Sequence, residues 1–281
     1  MFFKKNYKEE LGNMEIINEK YKLYQGDCLE VMDKLIEKGI KVDMILTDPP
    51  YGTTACKWDS IIPFDDMWDR LNKLIKPNGA ICLFGSEPFS TRLRMSNFNN
   101  YRYDWYWKKT KPSLYQHAKN RPMRAIENVC VFSRSKWGHK SQLKDKRMDY
   151  NPQGIKSDGI KTVTESYNAG GVVGKRPNQV GRQYEAFKCF PNDVLEFKSI
   201  VGKKCLHPTQ KPVDLLEFLI KTYTNEGDLV LDFTMGSGST GVACIYTNRK
   251  FIGIEKEEKY FNISSNRLEN AKLNTRQKKL F

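Results

Sequence analysis

The strongest constraint on how this chain can fold is a glycine-rich loop placed late in it. Asp232-Phe-Thr-Met-Gly236-Ser-Gly238-Ser-Thr-Gly241 lies between a short apolar run, Leu229 to Asp232, and a helical pattern from Ser239 to Tyr246. Glycines in such a place let the backbone approach a ligand closely, and the N-terminus of the following helix offers free N–H groups. Glu255 closes the next apolar run, Phe251 to Glu255, 19 residues after Gly236, a spacing that suits a carboxylate accepting hydrogen bonds from ribose hydroxyls. The pattern does not separate a nicotinamide dinucleotide from another adenosine-bearing ligand. Its position argues against the dinucleotide, whose binding loop normally opens a domain with later strands behind it. Two late strands cannot make a stable doubly wound domain alone, so they must join strands from the first half of the chain in one sheet.

That first half supplies the partners. Val42 to Thr47 is a short apolar run ending at Pro49-Pro50, the pattern of a buried parallel strand. Phe64 to Ile75 has helical spacing, with Met67, Leu71, Leu74 and Ile75 on one side and Pro77-Asn78-Gly79 as a stop. Ala80 to Phe84 and Val129 to Phe132 read as further strands, and Tyr103 to Trp107 as a strand with buried rings. Val213 to Tyr223 reads as an amphipathic helix, and a last helix covers roughly Lys259 to Leu273. Strands alternating with helices predict a doubly wound, mostly parallel α/β sheet. Between Ser133 and Lys204 the alternation fails, and Asn168-Ala169-Gly170-Gly171 looks like a loop. The expected organisation is a discontinuous domain, 21–132 plus 205–275, an irregular insertion at 133–204, and terminal extensions at 1–20 and 276–281. The final Gln277-Lys278-Lys279 reads as a frayed basic tail.

Composition removes several classes. A hydrophobic content of 39% and a charged content of 28% describe a globular chain rather than a disordered one. No apolar run approaches the roughly 20 residues that span a bilayer, and Met1 to Lys20 lacks the apolar stretch of a signal peptide, so the chain reads as cytoplasmic. The seven cysteines make no Cys-x-x-Cys pair, and only His117, His139 and His207 accompany them, so no metal site is expected and the thiols read as reduced and mostly buried. The net charge of +14 suits a polyanionic partner. Residues 101–150 hold 13 Lys and Arg against 4 Asp and Glu. There Lys108, Lys109, Lys111, Arg121 and Arg124, interleaved with Trp105, Trp107 and Tyr115, are candidates for gripping nucleic-acid phosphates.

Asp48-Pro49-Pro50-Tyr51 leaves the strand that ends at Thr47. Ligands of open α/β sheets bind beyond the carboxyl ends of strands, so this turn can face the glycine loop. An exocyclic amine of a nucleobase is a poor nucleophile because its lone pair is delocalised into the ring. Acceptors holding both N–H groups, here the Asp48 carboxylate and the Pro49 carbonyl, favour a pyramidal nitrogen and aim its lone pair. The prolines fix the backbone and remove competing donors. Tyr51 offers a face for stacking on an extruded base.

In these motifs the chain resembles the DNA amino-methyltransferases, over most of its length. Asp48-Pro49-Pro50-Tyr51 matches their catalytic motif. The resemblance implies S-adenosylmethionine as cofactor and a circularly permuted Rossmann-like methyltransferase fold of the β group, in which catalytic motif, target-recognition region and cofactor motif follow in that order. Gly26-Asp27 is similar to the family's contact to the cofactor adenine, and Gly253-Ile254-Glu255 to its ribose contact. His207-Pro-Thr209-Gln-Lys211-Pro212 is similar to the segment at the methionine end. With Asp232, Thr234, Gly236, Ser237, Gly238 and Thr240, these positions make up the expected cofactor site. The family's glycine motif usually reads Asp-Pro-Phe-x-Gly-x-Gly; here Phe233 stands at the Pro position and Thr234 at the Phe position. DPPYGTTACKWDS and FGSEPFS are similar to solitary phage and prophage enzymes. Asp at the head of the motif goes mostly with adenine N6 and Ser with cytosine N4, so Asp48 favours adenine, while an Asn there would have suggested glutamine methylation on a protein. The resemblance also implies a possible homodimer and a possible cognate restriction endonuclease. N4-cytosine transfer, a nicotinamide-dependent oxidoreductase, a non-catalytic DNA-binding protein and an RNA substrate stay open on the sequence alone.

Overall fold

The computed structural model describes residues 7–10, 13–54, 56, 59–136, 138, 143, 146–164, 180–200, 202 and 205–278. These residues fall into two compact units, Met1–Asn151 with Asp193–Phe281, and Pro152–Asn192. In chain order the larger unit contains β1 (Tyr7–Glu10), β2 (Asn13–Ile17), β3 (Tyr21–Gln25), α1 (Cys28–Glu37), β4 (Val42–Thr47), α2 (Phe64–Leu74), β5 (Ile75–Gly85), α3 (Phe89–Ser96), β6 (Tyr101–Ser113) and β7 (Arg124–Phe132). The smaller unit contributes β8 (Lys156–Thr162) and β9 (Gln183–Lys188), which pair antiparallel as a two-stranded sheet of their own. The larger unit resumes with β10 (Val194–Phe197), α4 (Val213–Tyr223), β11 (Leu229–Asp232), α5 (Ser239–Tyr246), β12 (Lys250–Glu255) and α6 (Glu258–Lys278).

Among the described residues, ten strands of the larger unit form one sheet in the order β1-β2-β3-β12-β11-β4-β5-β7-β6-β10. Its centre, β3-β12-β11-β4-β5, is parallel. The two late strands therefore lie between β3 and β4, which is the single joined sheet that the glycine loop demands. β4 shows why the sheet is doubly wound. Met44 and Leu46 pack into a core with Leu215, Leu219 and Phe261 of α4 and α6. Val42 and Ile45 pack into the other core, with Met32, Leu71 and Leu93 of α1, α2 and α3. Both faces are covered, so these strands read as unbroken apolar runs rather than alternating ones. No described helix is long and apolar enough to cross a membrane.

Several expectations are revised. The helix at Phe64 ends at Leu74, and Pro77-Asn78-Gly79 lies inside β5, where the pairing with β4 shifts register between Val42 and Met44. A bulge accommodates there what the composition marks as a stop. The N-terminal extension adds β1 and β2, with β2 antiparallel to β3. Part of the expected insertion belongs to the main sheet, since β10 pairs parallel with β6. Gln277 and Lys278 continue α6, while Lys279 and the Asn168-Ala169-Gly170-Gly171 segment lie outside the described residues. Of the thiols, Cys82, Cys130 and Cys244 are buried, Cys28 and Cys205 half-buried, and Cys56 and Cys189 exposed.

Candidate active site

The parallel strands all end at one edge of the sheet, and a cavity of about 410 Å³ opens there, lined among others by Asp27, Asp48, Tyr51, His207, Gly236 and Glu255. Sites at this edge follow from topology, because helices leave the strand ends in opposite directions and open a crevice between them. The Asp48 turn and the glycine loop are joined directly. Thr234 donates its hydroxyl to the Asp48 carbonyl at 3.1 Å and is hydrogen-bonded to the Thr47 hydroxyl at 2.7 Å. Thr234, the departure from the family pattern, thus couples the two motifs. Asp232 accepts from Thr47 at 2.5 Å, Thr240 at 2.6 Å and the Thr234 amide at 3.2 Å. Burial without a cation pushes the Asp232 carboxyl up to about 6 despite these donors.

The glycines divide their work. Gly236, at φ +51°, donates its amide to Glu255 at 2.9 Å, and the other Glu255 oxygen accepts from the Glu257 amide at 2.8 Å. Burial raises Glu255 to about 7. Gly238 stands at φ +75° against α6, where a Cβ would come within 2.7 Å of Ser264. It does not line the cavity; it lets α5 and α6 close on each other. Ser237 lines the cavity, and its hydroxyl accepts from Arg267 of α6 at 3.0 Å. Asp27 caps α1 through the Leu29 amide at 3.0 Å and reaches Lys256 at 3.3 Å. Thr209 is hydrogen-bonded to His207 Nδ1 at 3.1 Å. Burial, and then Lys211, lower that imidazole to about 4.

Asp48 is not idle. Its Oδ1 accepts the Tyr51 hydroxyl at 2.5 Å and its Oδ2 the Lys211 ammonium at 2.5 Å. Burial pushes the Asp48 carboxyl upward, Lys211 pulls it back, and Glu127 pushes it up again; the result lies above the usual range. Glu127, on β7, is the residue that sequence reasoning missed. It binds Lys211 at 2.8 Å and Lys109 at 2.6 Å, and its own carboxyl, which burial alone would raise, is drawn down to about 2 by these two ammoniums. A carboxylate two residues before the apolar run Val129 to Phe132, inside the same strand, was the available signal. Asp59 was missed as well. Its two oxygens accept the amides of Tyr51, Gly52, Thr53 and Thr54 at 2.7–2.9 Å, fixing the loop that follows the turn.

The N6/N4 DNA methylase family matches residues 42–266, four fifths of the chain. The chain belongs to this family. It is 29% identical over 266 residues to the type II methyltransferase M1.MboII of Moraxella bovis, across 86% of this chain and 94% of that one. The solved M1.HpyAVI–SAM complex is similar at 28% identity with a TM-score of 0.59, covering 88% of this chain and 98% of its own. The cytosine-N4-specific PvuII DNA methyltransferase shares the fold at 19% identity and a TM-score of 0.58, over 89% of this chain and 86% of its own.

In this DNA methylase the five basic candidates separate into two groups. Lys111 is exposed near the end of β6, Arg121 is exposed on the β6–β7 connection, and Lys108 is exposed with Glu196 at 2.7 Å. Lys109 is instead tied to Glu127, with its ammonium 5.2 Å from the Trp107 ring centre. Arg124 is spent on the β5–α3 turn, donating to the Ser86 hydroxyl at 2.6 Å and the Glu87 carbonyl at 3.0 Å. Of the aromatic residues, Trp105 and Trp107 are buried and Tyr115 is 81% exposed.

Proposed function

We propose that this DNA methyltransferase transfers a methyl group from S-adenosylmethionine to the N6 amino group of adenine in a base turned out of double-stranded DNA. The observation that carries this is the Thr234 hydroxyl on the Asp48 carbonyl, because it ties the amine-accepting turn to the glycine loop in one cavity. The cavity volume, about 410 Å³, lies in the range of small-molecule sites. The Glu255 carboxylate keeps acceptor capacity for ribose hydroxyls on both oxygens, and Asp27 stands near the adenine end. S-Adenosylmethionine supplies an electrophilic methyl group on a sulfonium. Asp48 and the Pro49 carbonyl accept the amine N–H groups, and the Asp48 carboxylate stabilises positive charge as it grows on the nitrogen and takes the released proton. Tyr51, stacked on Phe89 on one side at 4.8 Å, stacks on the base with the other.

Asp48 at the head of the turn supports adenine over cytosine. Lys108, Lys111 and Arg121 hold backbone phosphates, and the Pro152–Asn192 unit reads the target sequence. The type II naming of the relative from Moraxella bovis supports a place beside a cognate restriction endonuclease. Digestion of methylated DNA to nucleosides tests the base assignment: N6-methyladenine is expected, and N4-methylcytosine in its place refutes it.

A further inference from the structure

Behind the Asp48 turn four charges stand in a row. Lys211 bridges Asp48 Oδ2 at 2.5 Å and Glu127 Oε1 at 2.8 Å, and Lys109 closes on Glu127 Oε2 at 2.6 Å. They are sheltered: the side chains of Lys211, Glu127, Lys109 and Asp48 keep 8, 6, 15 and 17% of their surface. Two carboxylates and two ammoniums balance, as buried charges must. The difficulty is at Asp48. Both its oxygens already hold donors, the Tyr51 hydroxyl on Oδ1 and Lys211 on Oδ2. Each oxygen can accept a second bond, but an amine held closely by Asp48 competes with these two donors, and a buried donor that yields needs another acceptor. Both donors already reach the same one, Glu127 Oε1, at 3.3 Å from the Tyr51 hydroxyl and 2.8 Å from Lys211.

We infer that Glu127 is a positioning residue of the transfer site: it takes over Lys211 and the Tyr51 hydroxyl from Asp48 when a target amino group arrives. Lys211 accordingly serves the amine side of the pocket, not the methionine end of the cofactor. Lys109 anchors the far oxygen of Glu127, so that Oε1 stays turned towards Asp48. The inference rests on Asp48 being the amine acceptor. It has an electrostatic consequence at Asp48, which is faced by Tyr51 of its own turn, Lys211 of the segment before α4 with His207 near that ammonium, Glu127 of β7 backed by Lys109 of β6, and Asp232 of β11. The negative charge of Glu127 makes Asp48 harder to ionise, and the positive charge of Lys211 makes it easier.

The test uses methyl transfer from labelled S-adenosylmethionine to unmethylated bacterial genomic DNA, at subsaturating DNA across the acid range, with equilibrium titration of S-adenosylmethionine alone. Glu127→Gln is expected to lower kcat/KM for DNA at least tenfold, to leave cofactor affinity within threefold, and to move the acid limb of the rate to lower pH. Lys211→Met is expected to move that limb to higher pH, also without weakening cofactor binding. Adding Glu127→Gln to Lys211→Met should cost less than a further threefold, since Lys211, at 2.8 Å from Glu127 Oε1 against 3.3 Å for the Tyr51 hydroxyl, is the stronger of the two donors that Glu127 takes over. Independent multiplication of the two effects, an unmoved acid limb, or a tenfold loss of cofactor affinity in Lys211→Met overturns the inference. If Glu127→Gln does not fold, Lys109→Gln takes its place; it removes a positive charge and is expected to move the limb upward, and an unmoved limb again overturns the inference. Asp48→Asn separates the two levels. Full turnover in that variant refutes Asp48 as acceptor, whereas an inactive Asp48→Asn with unmoved limbs in the other variants refutes only Glu127.

Discussion

At the scale of single residues, Asp59 shows how much a carboxylate can do without touching a substrate. Four consecutive amides converge on it, and such charge-assisted bonds are stronger than neutral ones. Burial alone would raise its carboxyl; the Thr54 hydroxyl and the amides of Gly52, Thr54 and Thr53 bring it below the ordinary aspartate value. A depressed carboxyl contributes stability that is present above the unfolded value and lost as pH falls through the folded one. Asp59→Ala is therefore expected to cost about 1–3 kcal/mol at neutral pH, read by denaturant titration, with the difference from the parent shrinking in strong acid. Its kcat should fall more than its KM, because the loop beside Tyr51 loosens. Glu255 behaves oppositely. Held near 7 by burial, it is partly protonated at neutral pH and must ionise to accept ribose hydroxyls fully. Cofactor affinity is expected to rise between about pH 6 and 8 with proton release, measurable by calorimetry in buffers of different ionisation enthalpy. A flat profile would remove Glu255 from the cofactor site.

At the scale of elements, the contact between α5 and α6 decides whether the glycine loop keeps its shape. Gly238 has a left-handed backbone and no room for a Cβ beside Ser264. Gly238→Ala combines backbone strain with overpacking and is expected to destabilise by about 1–3 kcal/mol in thermal or denaturant melts. The loop's glycines read in sequence as a ligand-binding motif, yet of Gly236, Gly238 and Gly241 only Gly236 lines the cavity. Spacing in sequence does not say which neighbour a missing side chain makes room for. The helices α4 and α5 and the strand β11 fall at the predicted residues because each is bounded by its own local signals, Pro212 before α4 and the glycines before α5. The helix before Pro77 does stop, at Leu74, but the stop signal does not show that Pro77-Asn78-Gly79 continues into β5: proline can sit at a bulge in a strand, and only pairing with β4 makes the bulge.

At the scale of the whole molecule, the charge of +14 acts through where it is exposed. Each phosphate neutralised lowers the slope of log K against log salt by about 0.9. Lys111→Ala and Arg121→Ala are each expected to weaken binding to duplex DNA of any sequence and to reduce that slope by about 1. Lys109→Ala is expected to leave the slope in place, since its ammonium is held by Glu127 inside the protein. Filter or fluorescence binding between 50 and 200 mM salt, roughly the range where such slopes are resolved, decides between these outcomes.

The sequence by itself determined the doubly wound sheet and the joining of its two halves, and it singled out the Asp48 turn, which lines the cavity. Those follow from local patterns: apolar runs of strand length, a glycine loop with too little chain behind it, and a turn whose residue types suit one chemistry. Tertiary structure decided everything that depends on an opposite number. Glu127 and Lys109 lie far from Asp48 in sequence and meet it only because β6 and β7 lie on the same side of the sheet as β5, beyond β4. Lys211 likewise meets Asp48 and Glu127 only in the folded chain. A charge shows its sign in the sequence, but its partner, and so its work, is set by which other charge is buried beside it.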